Sequence, residues 1–300
     1  TMPAAVDVGS RLQSCSYVTL GASQHGGVTV TITSSDPSRV LVSPLATGSA
    51  SASVPVNVPN GQASAFYCVN GVENTTGSAT ITVSAPGFPN GTQTVTVVPS
   101  AVEIVNLPAS TTSLSASDVN WYVQAGIPDP TGSYLTTVQN VRAGGPLFIV
   151  TLSNSNGAVA QLASDEPAAT GQTVTKPIQS GVYYTVGVGG GTGYGLTFDP
   201  LAVGSTTVTV TGPAGVATTT STGSRTITVS GPGITMPAAV DVGSRVQSCS
   251  YATLGASQHG GVTVTITSSD PGRVLVSPWY TGPASASLPL SLANGEIYVP

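Results

Sequence analysis

The side chains suited to nucleophilic, acid–base or metal chemistry are few: three cysteines, two histidines, one lysine and twelve acids in 300 residues. Cys15, Cys68 and Cys249 leave three readings open: a bridge within one unit, a bridge between two chains, or buried thiols. His25, in Ser23-Gln-His-Gly-Gly27, recurs as His259. A catalytic triad needs a nucleophile and an acid oriented around its histidine. No G-x-S-x-G elbow accompanies this one, and no second ligand stands at metal-binding spacing. The segment therefore reads as a turn. The glycine-rich run from Gly187 to Gly195 lacks the G-K-[ST] ending of a phosphate loop and reads as a hairpin loop. Asp118, Asp129, Asp165, Glu166 and Asp199 would hold calcium only if their oxygens converged. Several flank proline, where turns favour aspartate anyway, and Glu103 and Asp241 are weaker candidates still. Trp121, Tyr122, Tyr183, Tyr184 and Tyr194 could form a sugar-stacking platform or simply pack. Asn74-Thr-Thr and Asn90-Gly-Thr match the N-glycosylation pattern, and Thr218–Thr222 is an O-glycan candidate or a loop. The reading is that catalytic, cofactor-binding and metal residues are none, cofactors are none, and the chain is not an enzyme.

What positions these residues is a repeat. Residues 1–44 return at 235–278 with three changes, Leu12 to Val246, Val18 to Ala252 and Ser38 to Gly272. Such identity at an offset of 234 residues marks a tandem array. It favours an extended structural or adhesive protein over an enzyme. Cys249 is the copy of Cys15, and the copy of Cys68 would fall past residue 300.

Composition narrows the class. Charged residues make up 6% of the chain, against roughly 25% in ordinary soluble domains. The net charge is −5, with no Lys/Arg cluster to displace counterions, so nucleic acid is not an expected partner. No apolar run reaches the roughly 18 residues of a membrane helix, so no membrane span is expected within this segment. A surface of Ser, Thr, Asn, Gln and Gly suits an extracellular setting.

Alternation of β-branched and polar residues predicts strands at Val28–Ile32, Ala79–Val83, Thr92–Val97, Thr207–Val210 and Thr226–Val229. Turn signals fall at Asp36-Pro37, Pro59–Gly61, Pro89–Gly91, Asp129-Pro130 and Asp199-Pro200. No segment carries helical periodicity. A period of 234 exceeds one sandwich of about 100 residues and divides in two. The expected units are A (1–98), B (99–233) and A′ (234–300), a second A cut short. Short joints are expected at Pro99-Ser-Ala and Gly231–Ile234, and Leu45-Ala46, which becomes Trp279-Tyr280, reads as a loop free to vary.

The runs GGVTVTITSSDPSRVLVSP (26–44) and TGSATITVSAPGF (76–88) resemble the bacterial Ig-like (Big-type) domains of giant surface proteins and adhesins. GLTFDPLAVGSTTVTVTGP (195–213) resembles the closing strands of such a domain; residues 119–190 match less clearly. The resemblance implies an all-β fold, a tandem array of Ig-like β-sandwiches, exported to the cell surface. In an exported protein Cys15 and Cys68 read as a disulfide, with Cys249 pairing beyond residue 300. Strand phase sets Leu12, Val18 and Leu20 inward and Cys15 on the outer face with Gln13, Tyr17 and Thr19. A second, complete-strand copy is expected at 235–292. Lys–Asn cross-links of some adhesin domains are not expected, since A has no lysine and Lys176 of B adjoins Pro177. The expected function is a structural segment of an extracellular fibre, filament or stalk. Its expected partners are copies of itself, and surface glycans if the chain is adhesive. The alternative is an adhesin module binding carbohydrate or protein through B-domain loops.

Overall fold

The computed structural model describes residues 1–188 and 193–299. It is all-β, built of Ig-like sandwiches. Segment A holds β1 (Val6–Gly9), β2 (Leu12–Thr19), β3 (Val28–Ser34), β4 (Val40–Ser43), β5 (Ser53–Val58), β6 (Ser64–Gly71), β7 (Gly77–Ala85) and β8 (Phe88–Val98). Segment B begins with β9 (Ser100–Val105), β10 (Ser110–Thr112), β11 (Tyr122–Pro128), β12 (Leu135–Val138), β13 (Asn140–Val141) and β14 (Phe148–Asn154). It continues with β15 (Ala160–Asp165), β16 (Ala168–Gly171), β17 (Thr173–Ile178), β18 (Leu196–Pro200), β19 (Gly204–Thr211), β20 (Val216–Thr218) and β21 (Ser224–Ser230). Segment A′ holds β22 (Ile234–Thr235), β23 (Ala252–Leu254), β24 (Val262–Thr267), β25 (Ser287–Leu292) and β26 (Tyr298–Val299).

In A, a sheet ordered β1-β8-β7-β3-β5 faces one ordered β13-β2-β6-β4. The period-2 side chains of β3, β7 and β8 put Val30, Ile32, Ile81, Val95 and Val97 into the core. There they meet Val18, Val42, Tyr67 and Val69 of the other sheet. In B, the sheets run β10-β21-β19-β14-β17, β12-β11-β9-β20 and β16-β15-β18, around a core that includes Trp121, Phe148, Leu162 and Phe198.

All five expected strands form. Two expected turns do not: Pro89–Gly91 lies within β8 and Asp199-Pro200 within β18. The β7–β8 turn sits earlier, at Pro86-Gly87, where Ala85 pairs with Phe88 and Gly87 has φ +79°. Pro89 and Asn90 then fall at a register shift, where proline's missing N–H breaks no ladder bond.

The copies A and A′ differ. The β3/β5 ladder is repeated residue for residue by β24/β25: Val28↔Val58 becomes Val262↔Leu292. Among the described residues, however, β1 and β4 have no counterpart strand, and only Ala252–Leu254 remains of the β2 copy. The expectation that residues 235–292 fold as 1–58 is thus corrected. The reason is partnership: β1 pairs with β8, and β2 and β4 pair with β6. Of the positions matching β6, only Tyr298 and Val299 are described, and they do pair, with Thr253 and Ala252.

Candidate functional site

Cys15 and Cys68 are direct cross-strand partners in β2 and β6, their Cα atoms are 3.9 Å apart, and the structure joins them. Cys15 is exposed, with Tyr17 and Thr19 beside it in phase, and Tyr17 packs edge-on against Phe66 at 5.2 Å. Gln13 shares that face but is buried, because the loop after β4 and segment B cover it: its Nε2 donates to Ala46 O (2.6 Å) and Val141 O (3.2 Å). Val18 and Leu20 enter the A core as expected. Leu12 does not; it is fully buried in the hydrophobic cluster of B. The start of β2 stands at the end of the A sandwich, so its inward side chain reaches the neighbouring core.

His25 organises a turn. Its Nε2 lies 2.9 Å from Gln62 O, and its Nδ1 accepts from Gly27 N at 3.2 Å. His259 repeats the arrangement with Glu296 O (2.8 Å) and Gly261 N (3.2 Å).

The B acids are dispersed onto separate tasks. Asp129 accepts from the Thr131 hydroxyl and from the amides of Thr131, Ser133 and Tyr134. The Thr131 hydroxyl bond leads, with burial opposing, and the net effect lowers its pKa to about 2. Asp118 accepts from Asn120 N at 2.9 Å and Asp199 from the Ser117 hydroxyl at 3.0 Å. Glu103 is buried and saturated, accepting from Gln124 Nε2 (2.7 Å), Leu135 N (3.1 Å) and the Thr222 hydroxyl (2.6 Å). Asp165 pairs with Lys176, whose side chain is 1% exposed. Burial, the largest single influence, raises the Asp165 pKa, but the bond and charge of Lys176 together with backbone bonds from Val188 and Asp165 outweigh it, and the net direction is down. Among the described residues no three His, Cys, Asp or Glu side chains converge on a point. The Gly187–Gly195 loop lies partly outside the described residues.

Trp121 is core. Tyr122, Tyr183, Tyr184 and Tyr194 are half-buried and pack on one another, mostly edge-on, with centroids 4.4–5.9 Å apart. Most of each ring is therefore spent on its neighbours rather than offered to solvent.

The most elaborate polar arrangement is one that no motif announced, the joint between A and B. The expected three-residue joint narrows to Pro99, since β8 ends at Val98 and β9 begins at Ser100. β13 adds antiparallel to the A sheet, pairing Asn140 with Gln13 and Val141 with Leu12, and Arg142 N donates to Arg11 O at 3.1 Å. Gln139 clamps β1: Gly9 N donates to its Oε1 (2.8 Å) and its Nε2 donates to Asp7 O (2.9 Å). Arg142 forks onto Glu73, Nε to Oε1 at 2.7 Å and Nη2 to Oε2 at 2.6 Å, with side chains only 7% and 16% exposed. Burial, the largest single influence, raises the Glu73 pKa, but the Arg142 bonds, a backbone bond and the charges of Arg142 and Arg11 together hold it below its ordinary value.

Gly181 permits a close approach: a Cβ built there would lie 2.9 Å from Thr47 Cγ2, while one on Gly144 would make ordinary contact, 3.7 Å from Ser49 Cα. The loop 44–50 is thus not free: it bears on B. No sequence pattern marks Gln139, Arg142 or Glu73. The one available signal was Leu12, a position at which the two A copies differ.

No protein-family model matches the chain, and no curated protein matches it. Solved structures similar to it include domains 5-6 of the S-layer protein SbsC, at 19% identity, 76% of this chain, 93% of that one and a TM-score of 0.26. The calcium binding domain CBD12 of CALX1.1 is similar at 7% identity, covering 75% and 96%, with a TM-score of 0.29. The Yersinia pseudotuberculosis adhesin InvE is similar at 17% identity, covering 74% of this chain and 56% of that one, with a TM-score of 0.25.

Proposed function

We propose that the chain is a structural segment of an extracellular, repeat-built fibre, filament or stalk. One observation carries this reading: adjacent sandwiches are fused by strand addition, a forked buried ion pair and a shared apolar residue, with one residue of linker. Burying such groups between units fixes their relative orientation, which a carrier of independent modules does not need. In this reading the units are 1–98, 99–233 and 234–300, of the bacterial Ig-like kind. Cys15–Cys68 is a staple suited to an oxidising compartment. No residue performs catalysis. The nearly uncharged surface lacks the lysines that guard edge strands, which supports association with further copies of the chain.

The adhesin alternative, binding carbohydrate or protein through B-domain loops, would draw support from tyrosine faces turned outward. The mutual packing of Tyr122, Tyr184 and Tyr194 supports the spacer instead. Small-angle scattering of the chain tests the reading: residues 1–230 should scatter as one rigid elongated body. Independent tumbling of two sandwiches would overturn it.

A further inference from the structure

The A–B joint also bears on what A′ does. In the 44 residues that open both copies only three positions differ, and one of them, Leu12, is the residue A inserts into the core of B. Identity is then lost beginning with the loop that touches B. Leu45, Ala46 and Ser49 become Trp279, Tyr280 and Pro283, while Pro44, Thr47, Gly48 and Ala50 are kept. Ala46 O anchors Gln13 and Ser49 bears on Gly144.

The docking apparatus itself persists. Gln247 Nε2 donates to Tyr280 O at 3.0 Å, as Gln13 does to Ala46 O, and Arg245 keeps the positive φ of Arg11 (64° and 67°). Asp241 and Gly243, the copies of the residues clamped by Gln139, are unchanged. Within residues 235–299, A′ thus keeps Gln247, Arg245, Asp241 and Gly243 and changes position 246 and the loop that fits one particular neighbour.

We infer that position 12 and loop 45–49 form a neighbour-selecting surface on A-type sandwiches, and that the A′ version takes a β-sandwich other than B. That partner adds an edge strand beside Val246–Gln247, as β13 does in A. It leaves room for Trp279 and Tyr280, and it offers a shallower socket, fitted to valine rather than leucine. Filling a leucine socket with valine leaves a void, and larger side chains crowd the joint at Ala46, which is half-buried, and at Ser49, whose Cα stands beside Gly144, whereas Leu45 is 59% exposed. B therefore discriminates against the A′ surface on both counts. The inference rests on the array reading only in treating A and A′ as copies of one unit.

The test transplants the A′ surface onto A in the full chain, as Leu12→Val, Leu45→Trp, Ala46→Tyr and Ser49→Pro. Amide exchange is read at Arg142, whose N–H crosses the joint, and at Ile81 in the A core. The expected result is exchange at Arg142 accelerated about tenfold or more with Ile81 unchanged. Ser38→Gly, the third difference between the copies, at an exposed turn bonded to Asp36, should change neither. If the fourfold variant also loses protection at Ile81, Ser49→Pro alone gives the decision on the same two amides. Arg142 protected as in the parent, or equally loosened by Ser38→Gly, overturns the inference. Scattering of the parent chain reports on the array reading separately, because it does not depend on which neighbour A′ prefers.

Discussion

A and A′ begin with nearly the same 44 residues and end in different states. Val8 is 0% exposed and its copy Val242 42%; Leu12 is 0% and Val246 66%; Val40 is 0% and Val274 45%. Tyr17 and its copy Tyr251 are 58% and 60% exposed. The difference lies in the inward set and in Gln13, which is buried at the joint while its copy Gln247 is exposed. Local sequence suffices for the β24/β25 hairpin and the His259 turn, which need only each other. It does not suffice for β1, β2 and β4, whose backbone groups and apolar side chains are satisfied by strands further along the chain, in β6 and β8.

The largest effect should come from supplying A′ with equivalents of β6 and β8. Appending residues equivalent to 66–98 after Val299 should slow amide exchange across 240–253 by about three orders of magnitude or more, toward the protection of a core strand. Continued fast exchange there would show that Val246 and Ala252 have spoiled the copy.

Next in size is the staple. Cys15→Ser with Cys68→Ser should cost A about 4 kcal/mol by release of the loop constraint, read as a lower denaturant midpoint for A with B unaffected. An unchanged midpoint would mean the bridge adds no stability to A.

At the joint, Glu73→Ala strands the buried Arg142 guanidinium. Loss of one partner of such a pair costs about 3 kcal/mol or more, and proteolysis near Pro99 should rise accordingly. Arg142→Met, which removes the charge that needs a partner, should cost less. Equal costs would place the joint's strength in packing rather than in charge.

The smallest effect is on pH. The folded pKa of Glu73 lies below its ordinary 4.5, so its contribution to the joint is complete above that value. The contribution is lost as pH falls through the lowered folded value. The wild-type joint should therefore loosen in acid relative to a Glu73→Gln variant, whose corresponding bond does not titrate. Parallel profiles for the two would remove Glu73 as the source.

The sequence made the sandwiches legible because their strands alternate and repeat. Val28–Ile32 and Thr226–Val229 announce themselves by period 2, and the outward phase of Cys15 followed from Leu12, Val18 and Leu20. It misplaced Pro89–Gly91 because a proline and a glycine signal a turn whether or not a bulge absorbs them. The joint was not legible. Gln139, Arg142 and Glu73 are single polar residues whose meaning depends on which surfaces meet. Leu12 looks like any core leucine until the core it enters is known. Lys176 looked inert beside Pro177, yet it is buried against Asp165 from another sheet.

The parallel pairing at the rim of each unit also matters for how such a chain bears load. In A the entering strand β1 lies parallel to the departing strand β8, and in B β10 lies parallel to β21. Tension along the backbone of A pulls β1 one way and β8 the other, along their common axis. The four register pairs from Val6↔Val95 to Gly9↔Val98 are then strained together in shear rather than opened one after another like a zip. Where β8 passes into β9 across Pro99, the same pull runs into the next sheet with almost no slack between. Stretched end to end, the molecule transmits force as a cable does, with each sandwich a splice whose overlap, more than its total stability, sets the breaking strength.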